Sequence, residues 1–327
     1  MIMVFGQGGY EVRFDWGPVG AGAIAPGAAL VAVVDVLSFT TALTVAVEHG
    51  AAVLPYPWRD DSAAEAAARH QAVLAVGRSV AGPGQVSLSP ATIVQAASRH
   101  RIDRLVLPSP NGSAISAGLA ATGATVVGVS LRNAAAAAAW VRKQAAGPPQ
   151  AWLPNAGLRS AGLPEAPPQA LGPPQALGPP QAPGPPSAGP PSVGLPSVGL
   201  PPVGLPGGGL PATGWTTGGW PVAVVAAGER WPDGSLRPAV EDLWGAGAFL
   251  HFLNGTGEPA AGFSPEAGAA VAAYRAVAGD LPGALEETAS GRELIAGGFR
   301  ADVEVAAAAG VSTAVPVLSE GWFRAAS

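Results

Sequence analysis

Between about Gln144 and Gly219 the chain runs through "PPQALGPPQALGPPQAPGPPSAGPPSVGLPSVGLPPVGLPGGGLP", a degenerate repeat of first six and then five residues. Proline removes backbone donors and fixes φ, while glycine raises the entropy cost of order, so neither a helix nor a sheet can run through such a stretch. Polyproline-II segments broken by glycine hinges are the expected state. The segment therefore reads as a low-complexity, disordered insertion at a surface loop, 144–219. A PxxP docking arm is the competing reading. Whatever folds must be built from the flanks, with 1–143 and 220–327 expected to be two parts of one α/β domain.

In both flanks apolar runs alternate with helical patterns. "ALVAVVDV" (29–36) is a continuous β-branched run, as in a strand buried on both faces. "FTTALTVAVEHG" follows as a helix stopped at Gly50. Further strands are expected at 51–56, 104–107, 124–129, 221–227 and 313–318. Helices are expected at 61–77, 89–100, 132–146 and 237–253, the last weakened by two glycines. Helices between strands imply crossover connections and a mostly parallel sheet, with helices on both faces in three layers. In open sheets of this kind ligands collect outside the carboxyl ends of the strands.

Composition narrows the function classes. Hydrophobic residues make up 48% of the 327 and charged ones 12%, the net charge is −5, and the one lysine is Lys143. A chain so poor in basic residues is not expected to bind nucleic acid. It has no cysteine, which excludes disulfides, thiolate metal sites and a cysteine nucleophile. No basic region followed by an apolar one opens the sequence, so no secretory signal is expected. The uncharged stretch Gly17 to Val34 carries several glycines and Pro26 and makes a poor membrane helix. A cytoplasmic protein with no membrane partner is the expectation. The four histidines show no metal-ligand spacing, and neither GxxxxGK[ST] nor GxSxG at a strand end is present.

The residues just after the strands are of one chemical kind. Asp35, Ser38, Thr40 and Thr41 follow the first run, Ser109, Asn111, Gly112 and Ser113 follow the third, and Ser130, Arg132 and Asn133 the fourth. Glu229, Arg230 and Asp233 follow 221–227, and the next helix carries Glu241 and Asp242. This set suits a small phosphate ester together with Mg²⁺. Helix N-termini offer N–H groups to an oxyanion, hydroxyls and amides add neutral donors, and Mg²⁺ takes one or two carboxylates and keeps several waters. Each residue also has a plain structural reading. Asp35 suits a helix N-cap, "PNG" at 110–112 suits a turn, and Glu241 and Asp242 point about 100° apart on a helix, so one of the two is expected to face a site.

The series "VVDVLSFTTALTVAVEHGA", "SP" at 89–90, "PSPNGS", "LRNA" at 131–134 and "AGE…GSLRPAVEDLWGAGAFL" resembles the 2-phosphosulfolactate phosphatases, over about residues 10–143 and 220–320. That family's pattern runs roughly as DVLRATTT, NSP, TTNGT, a later NA and an AG…SLEDxxxAG block. The resemblance implies an α/β fold and Mg²⁺-dependent hydrolysis of 2-phospho-3-sulfolactate to sulfolactate and phosphate, a step towards coenzyme M. Carried over by position, Asp35, Glu241 and Asp242 become the catalytic acids, with Asp35 and Asp242 as metal ligands. Ser109, Asn111, Gly112 and Asn133 match motif residues and become substrate and phosphate contacts, to which the strand-end residues Ser38, Thr40, Ser113 and Arg230 are added as candidates. The family's arginine after DVL is Ser38 here, and Arg78, Arg230 or Arg132 are the candidates to replace it. TTNGT is replaced by PSPNGS, which keeps hydroxyls in a different geometry.

Two further readings stay open. A non-catalytic relative would bind a phosphorylated or sulfonated metabolite without turnover, and a working proline-rich arm would lose its role on deletion of 148–218 while hydrolysis persisted. An aspartyl-phosphate route through Asp35 would call for a second acid two residues on, where Leu37 stands.

Overall fold

The computed structural model describes residues 4–57, 60–146, 219–255 and 260–326. The disordered insertion expected at 144–219 lies, apart from its edges, outside the described residues. The first part of the chain forms β1 (Val12–Trp16), α1 (Gly17–Ile24), β2 (Leu30–Val34), α2 (Phe39–Glu48), β3 (Ala52–Tyr56), α3 (Asp61–Arg69) and β4 (Val73–Leu74). It continues with α4 (Pro90–Arg99), β5 (Arg104–Pro108), α5 (Gly112–Leu119), β6 (Thr125–Val129) and α6 (Ala134–Ala145). After the repeat come β7 (Val222–Ala226), β8 (Glu229–Arg230), β9 (Leu236–Arg237), α7 (Val240–Asn254) and α8 (Pro265–Val277). The chain closes with α9 (Leu281–Glu287), α10 (Ala289–Ala296), α11 (Arg300–Ala307), β10 (Pro316–Ser319) and β11 (Trp322–Ala325).

Nine of these strands make one sheet, ordered β1-β7-β2-β6-β10-β11-β3-β5-β4, and β8 and β9 form a separate hairpin. Strand β7, from beyond the repeat, is paired in parallel with β1 on one side and β2 on the other. The protein is thus a mixed α/β structure with a large, mostly parallel sheet flanked by helices. Strand β2 shows why its sequence is apolar throughout. Leu30, Ala32 and Val34 join the core shared with α6, α7 and α8, whereas Val31 and Val33 join the opposite core with α2, α4 and α5. A strand with helices on both faces has no side to give to polar residues.

Two expectations need correcting. The helix expected over 61–77 ends at Arg69; Gln71 takes a positive φ of 50°, and Val73–Leu74 then pairs with β5, so sheet pairing overrides local helical pattern. The helix expected over 132–146 is present as α6, Ala134–Ala145. The sheet is also not uniform in direction. Hairpin β10–β11 is antiparallel to β6 at one end and to β3 at the other. Three successive reversals make β3, β5 and β4 run opposite to β1, β7, β2 and β6. The strand ends carrying Asp35 and Asn111 therefore do not share a single carboxyl edge. They meet because α2 packs against strands of both groups.

The glycines of α7, which weaken it as an isolated helix, are where other elements come closest. A Cβ on Gly245 would lie 2.6 Å from Val36 Cγ2, and one on Gly247 would lie 2.8 Å from Tyr274 Cβ and closer still to the Ala270 carbonyl oxygen of α8. Gly247→Ala should cost about 3 kcal/mol, because the obstruction is backbone and cannot rotate away. Thermal denaturation should show a drop of roughly 5–10 °C. Among the described residues no helix is long and apolar enough to cross a membrane.

Candidate active site

Asp35 is the first residue beyond β2 and is buried. Its Oδ1 accepts the backbone N–H of Ser38 (2.9 Å) and of Phe39 (3.1 Å), and its Oδ2 accepts that of Gly112 (2.9 Å). One carboxylate thus caps two helices, α2 and α5, from different parts of the sequence. The capping reading and the site reading of Asp35 are compatible, since the cap is what brings the two N-termini together. Only glycine fits at 112, where a Cβ would fall 2.8 Å from Asp35 Oδ2 and 2.9 Å from Phe39 Cγ.

Asp242, in the first turn of α7, is buried beside it. Val36 N–H donates to its Oδ1 (2.7 Å) and Gly228 N–H to its Oδ2 (2.8 Å), which ties the ends of β2 and β7 together. Glu241 is also buried, so both adjacent acids are inside, against the expectation that one of them faces away. Glu241 is hydrogen-bonded to Ser290, which also takes Arg237 Nη2 (3.2 Å). Glu229 Oε2 accepts Asn111 Nδ2 at 2.9 Å, and Glu229 and Arg237 are directly opposite in the β8–β9 hairpin. Glu229 and Arg237 complete the cluster; Glu229 was among the acids expected at the strand ends but was not assigned a site role, and Arg237 was not expected. The signal in the sequence was their pairing across the "WPDGS" turn, which only a hairpin makes into neighbours.

The four acids strain one another electrostatically. Burial pushes the Asp35 carboxyl up, against its three backbone hydrogen bonds and the charge of Arg78. Burial and then the Asp35 charge push Glu229 up to about 7, opposed by Asn111 and Arg237. Glu241 is raised by burial, with Ser290 and Arg237 opposing. Asp242 is raised well above its ordinary value by burial and by the charges of Asp35 and Glu241. A carboxyl titrating near neutrality, as Glu229 does, has the property needed to exchange a proton with a leaving oxygen.

The remaining expected contacts divide. Ser38 is half-buried with its N–H on Asp35, and Ser109 Oγ accepts Asn111 N–H (3.3 Å), so both belong to the loops around Asp35. Arg230 is exposed, and its Nη2 donates to Pro110 O (3.4 Å), bridging the hairpin to the "PSPNGS" loop. Thr40, Ser113 and Asn133 are corrections. All three are 0% exposed. Thr40 Oγ1 donates to Asp35 O (2.7 Å) and accepts Asp35 N–H (3.0 Å). Ser113 Oγ donates to Leu107 O (2.7 Å). Asn133 accepts from Ser130 N–H and donates to Gly128 O and Ala314 O. With their polar atoms spent on backbone groups, these side chains hold the strand ends in place.

The donor chemistry suits a hard divalent cation. Every candidate ligand atom is a carboxylate oxygen, the preference of Mg²⁺. Among the described residues, the arginine charges named as opposing these raised carboxyls are those of Arg78 and Arg237, leaving negative charge that a cation would neutralise. A carboxylate has about four lone-pair sites; the three N–H bonds to Asp35 and the two to Asp242 leave acceptor capacity on each. Among the described residues no group of three or more His, Asp or Glu side chains forms a ready ligand set. Mg²⁺ does not need one, since it binds through one or two carboxylates and completes its shell with water. A cavity of about 440 Å³ lined by Val47, Glu48, Trp140 and Thr313 includes none of these acids.

No curated protein matches the chain. The "AGERWPDGSLRPAVEDLWGAGAFL" block, with Glu229, Arg237, Glu241 and Asp242, falls within the matched part of a family model, while Asp35 and the "PSPNGS" loop lie before it. Over residues 217–321, about a third of its length, the chain is similar to the family described as 2-phosphosulpholactate phosphatase.

Proposed function

We propose that the chain is a Mg²⁺-dependent phosphatase of small acidic phosphate monoesters, with 2-phospho-3-sulfolactate as the substrate suggested by the family likeness. The observation that carries this reading is the meeting of Asp35, Glu229, Glu241 and Asp242 beside two helix N-termini, with more buried negative charge than the nearby arginines offset. Asp35 and Asp242 would hold the cation. When bound, Mg²⁺ supplies charge stabilisation to the phosphoryl oxygens and orients water. Glu241, steadied by Ser290 and Arg237, is a water-positioning acid. Asn111 fixes Glu229 at Oε2, leaving Oε1 to meet the leaving ester oxygen. The N-termini of α2 and α5, whose Ser38, Phe39 and Gly112 N–H groups are held by Asp35, add their positive dipole ends in favour of an oxyanion nearby. Phosphoryl transfer needs mainly positioning and charge stabilisation, so this set is chemically sufficient.

The test is phosphate release from 2-phosphosulfolactate and a panel of phosphate monoesters, with Mg²⁺ and with EDTA. Release that EDTA abolishes and Mg²⁺ restores is the expected result. No release from any ester would end the proposal. Thermal stabilisation by the ester without release would instead identify a binding protein, motivated by the serine at 38 where the family has arginine.

A further inference from the structure

We infer that Arg237 is the phosphoryl-binding arginine of this site, its guanidinium laid on the face of Trp231 and offered to the non-bridging oxygens of the ester. The inference rests on the phosphatase reading for its substrate, and its own evidence is where this side chain stands and how it is held. Arg237, in β9, is directly opposite Glu229, in β8. Side chains of opposed residues leave the same face of a hairpin, about 5 Å apart at Cβ, so the arginine shares its face with the acid that Asn111 holds at 2.9 Å. Its Nη2 donates to Ser290 Oγ at 3.2 Å, and the same serine bonds Glu241. Its backbone lies against the loop that binds Asp242. Gly228, whose N–H donates to Asp242 Oδ2 at 2.8 Å, has a positive φ of 65°, and a Cβ there would fall 3.0 Å from Arg237 O. Hydrogen bonds and strand register thus place Arg237 among Glu229, Glu241 and Asp242.

Little of its donor capacity is used. A guanidinium carries five N–H donors, and among the described residues the hydrogen bond Arg237 makes is the one to Ser290. It forms no ion pair with a described acid. A ring holds it instead: its Cζ lies 5.8 Å from the centre of the Trp231 indole. A cation on an aromatic face is steadied in its plane and keeps its edge N–H groups, whereas a carboxylate partner would consume them and cancel the charge. Trp231 is exposed at the hairpin turn and Arg237 is half-buried, so a ligand arriving from solvent has a way to the guanidinium. Other arginines are spent elsewhere: Arg78 on Asp302, Arg132 on Glu48 and Val305 O, and Arg230 on Gly234 O and Pro110 O. A phosphoryl dianion would be repelled by the acids alone. A planar cation among them, with its donors free, attracts it and can take two of its oxygens at once.

The test is calorimetric binding of inorganic phosphate to the full chain in Mg²⁺ buffer, with kcat and KM for an acid-bearing ester and for ethyl phosphate. Arg237→Gln, which keeps a donor for Ser290, and Arg237→Met are measured in parallel, and Arg237→Lys tests rescue by charge. Phosphate binding should weaken about tenfold to a hundredfold in the glutamine and methionine variants, as the loss of charge-assisted hydrogen bonds predicts, and be partly kept in Arg237→Lys. The kcat/KM should fall by at least that factor for both esters, since the phosphoryl group is common to them. Trp231→Leu should weaken phosphate binding about two- to fivefold in the parent and not at all in Arg237→Met, because the ring acts through the arginine. Phosphate binding of parental strength in a glutamine or methionine variant with native circular dichroism would overturn the assignment, as would no phosphate binding to the parent. A loss confined to the acid-bearing ester would overturn it too, and give Arg237 to the second acid group. Arg237-dependent phosphate binding by a protein that releases no phosphate from any ester would sink the phosphatase reading and leave the arginine's role standing.

Discussion

Asp35→Asn should lower Mg²⁺-dependent phosphate release about a thousandfold, roughly 4 kcal/mol of barrier, while leaving the protein folded. Asp35 is the acid on which the cluster is centred: its charge acts on Glu229, Glu241 and Asp242 alike. Removing that charge weakens cation binding and allows the other acids to ionise more readily, so two readouts should move together. Phosphate release falls, and the Glu229 titration shifts downward from about 7. Folding is affected by two opposing terms. The amide oxygen still caps α2 through Ser38 and Phe39, but the amide nitrogen then faces the Gly112 N–H, a donor against a donor, at a cost of about 1–3 kcal/mol. Relief of a buried charge offsets part of this. Kinetics with a melting curve separate the two effects. A folded variant with activity within tenfold of the parent would remove Asp35 from the chemistry.

The second large effect is on stability as a function of pH. Without a divalent cation, the protein should be most stable in mild acid and lose stability as the pH rises towards 7 and beyond. The sign follows from proton counting. Glu229 has an ordinary value of 4.5 and is raised to about 7 in the fold, so between those values the folded state holds a proton that the unfolded chain has released. Stability then falls with rising pH, because the unfolded state binds fewer protons. For Glu229 alone the full shift corresponds to about 3 kcal/mol as an upper bound. Asp35, Glu241 and Asp242 are raised too and push in the same direction. Melting temperatures across pH 5–8 in EDTA should decline, and Mg²⁺ should restore them most at the alkaline end, where the carboxylates are ionised and binding is strongest. A flat profile in EDTA, or Mg²⁺ stabilisation that is greatest in acid, would count against a cation site built on these acids.

What was legible in the sequence is what local chemistry dictates. The β-branched run of 30–34 announced a strand buried on both faces, because no solvent-facing position interrupts it. A helix was expected over 89–100, and the structure has one there, with the Ser89 hydroxyl capping Thr92 N–H at its start. A strand-end acid pointed to the neighbourhood of Asp35 for the same local reason, since a charge cannot continue a doubly covered strand.

Other features required contacts that sequence spacing does not encode. The reversal of sheet direction at β10–β11 depends on pairings between residues far apart in the chain. The glycines of α7 look like defects until α8 and β2 close over them. Thr40, Ser113 and Asn133 carry the polar atoms of a binding site, yet all three are enclosed and spent on backbone groups, a matter of burial and not of residue type. The sequence by itself determined the alternation of strands and helices and the chemical kind of residue at the strand ends. Only the tertiary structure decided that Glu229 and Arg237 join those acids and that Arg78 is anchored by Asp302, some two hundred residues away, because desolvation and charge coupling exist only once distant segments are packed together.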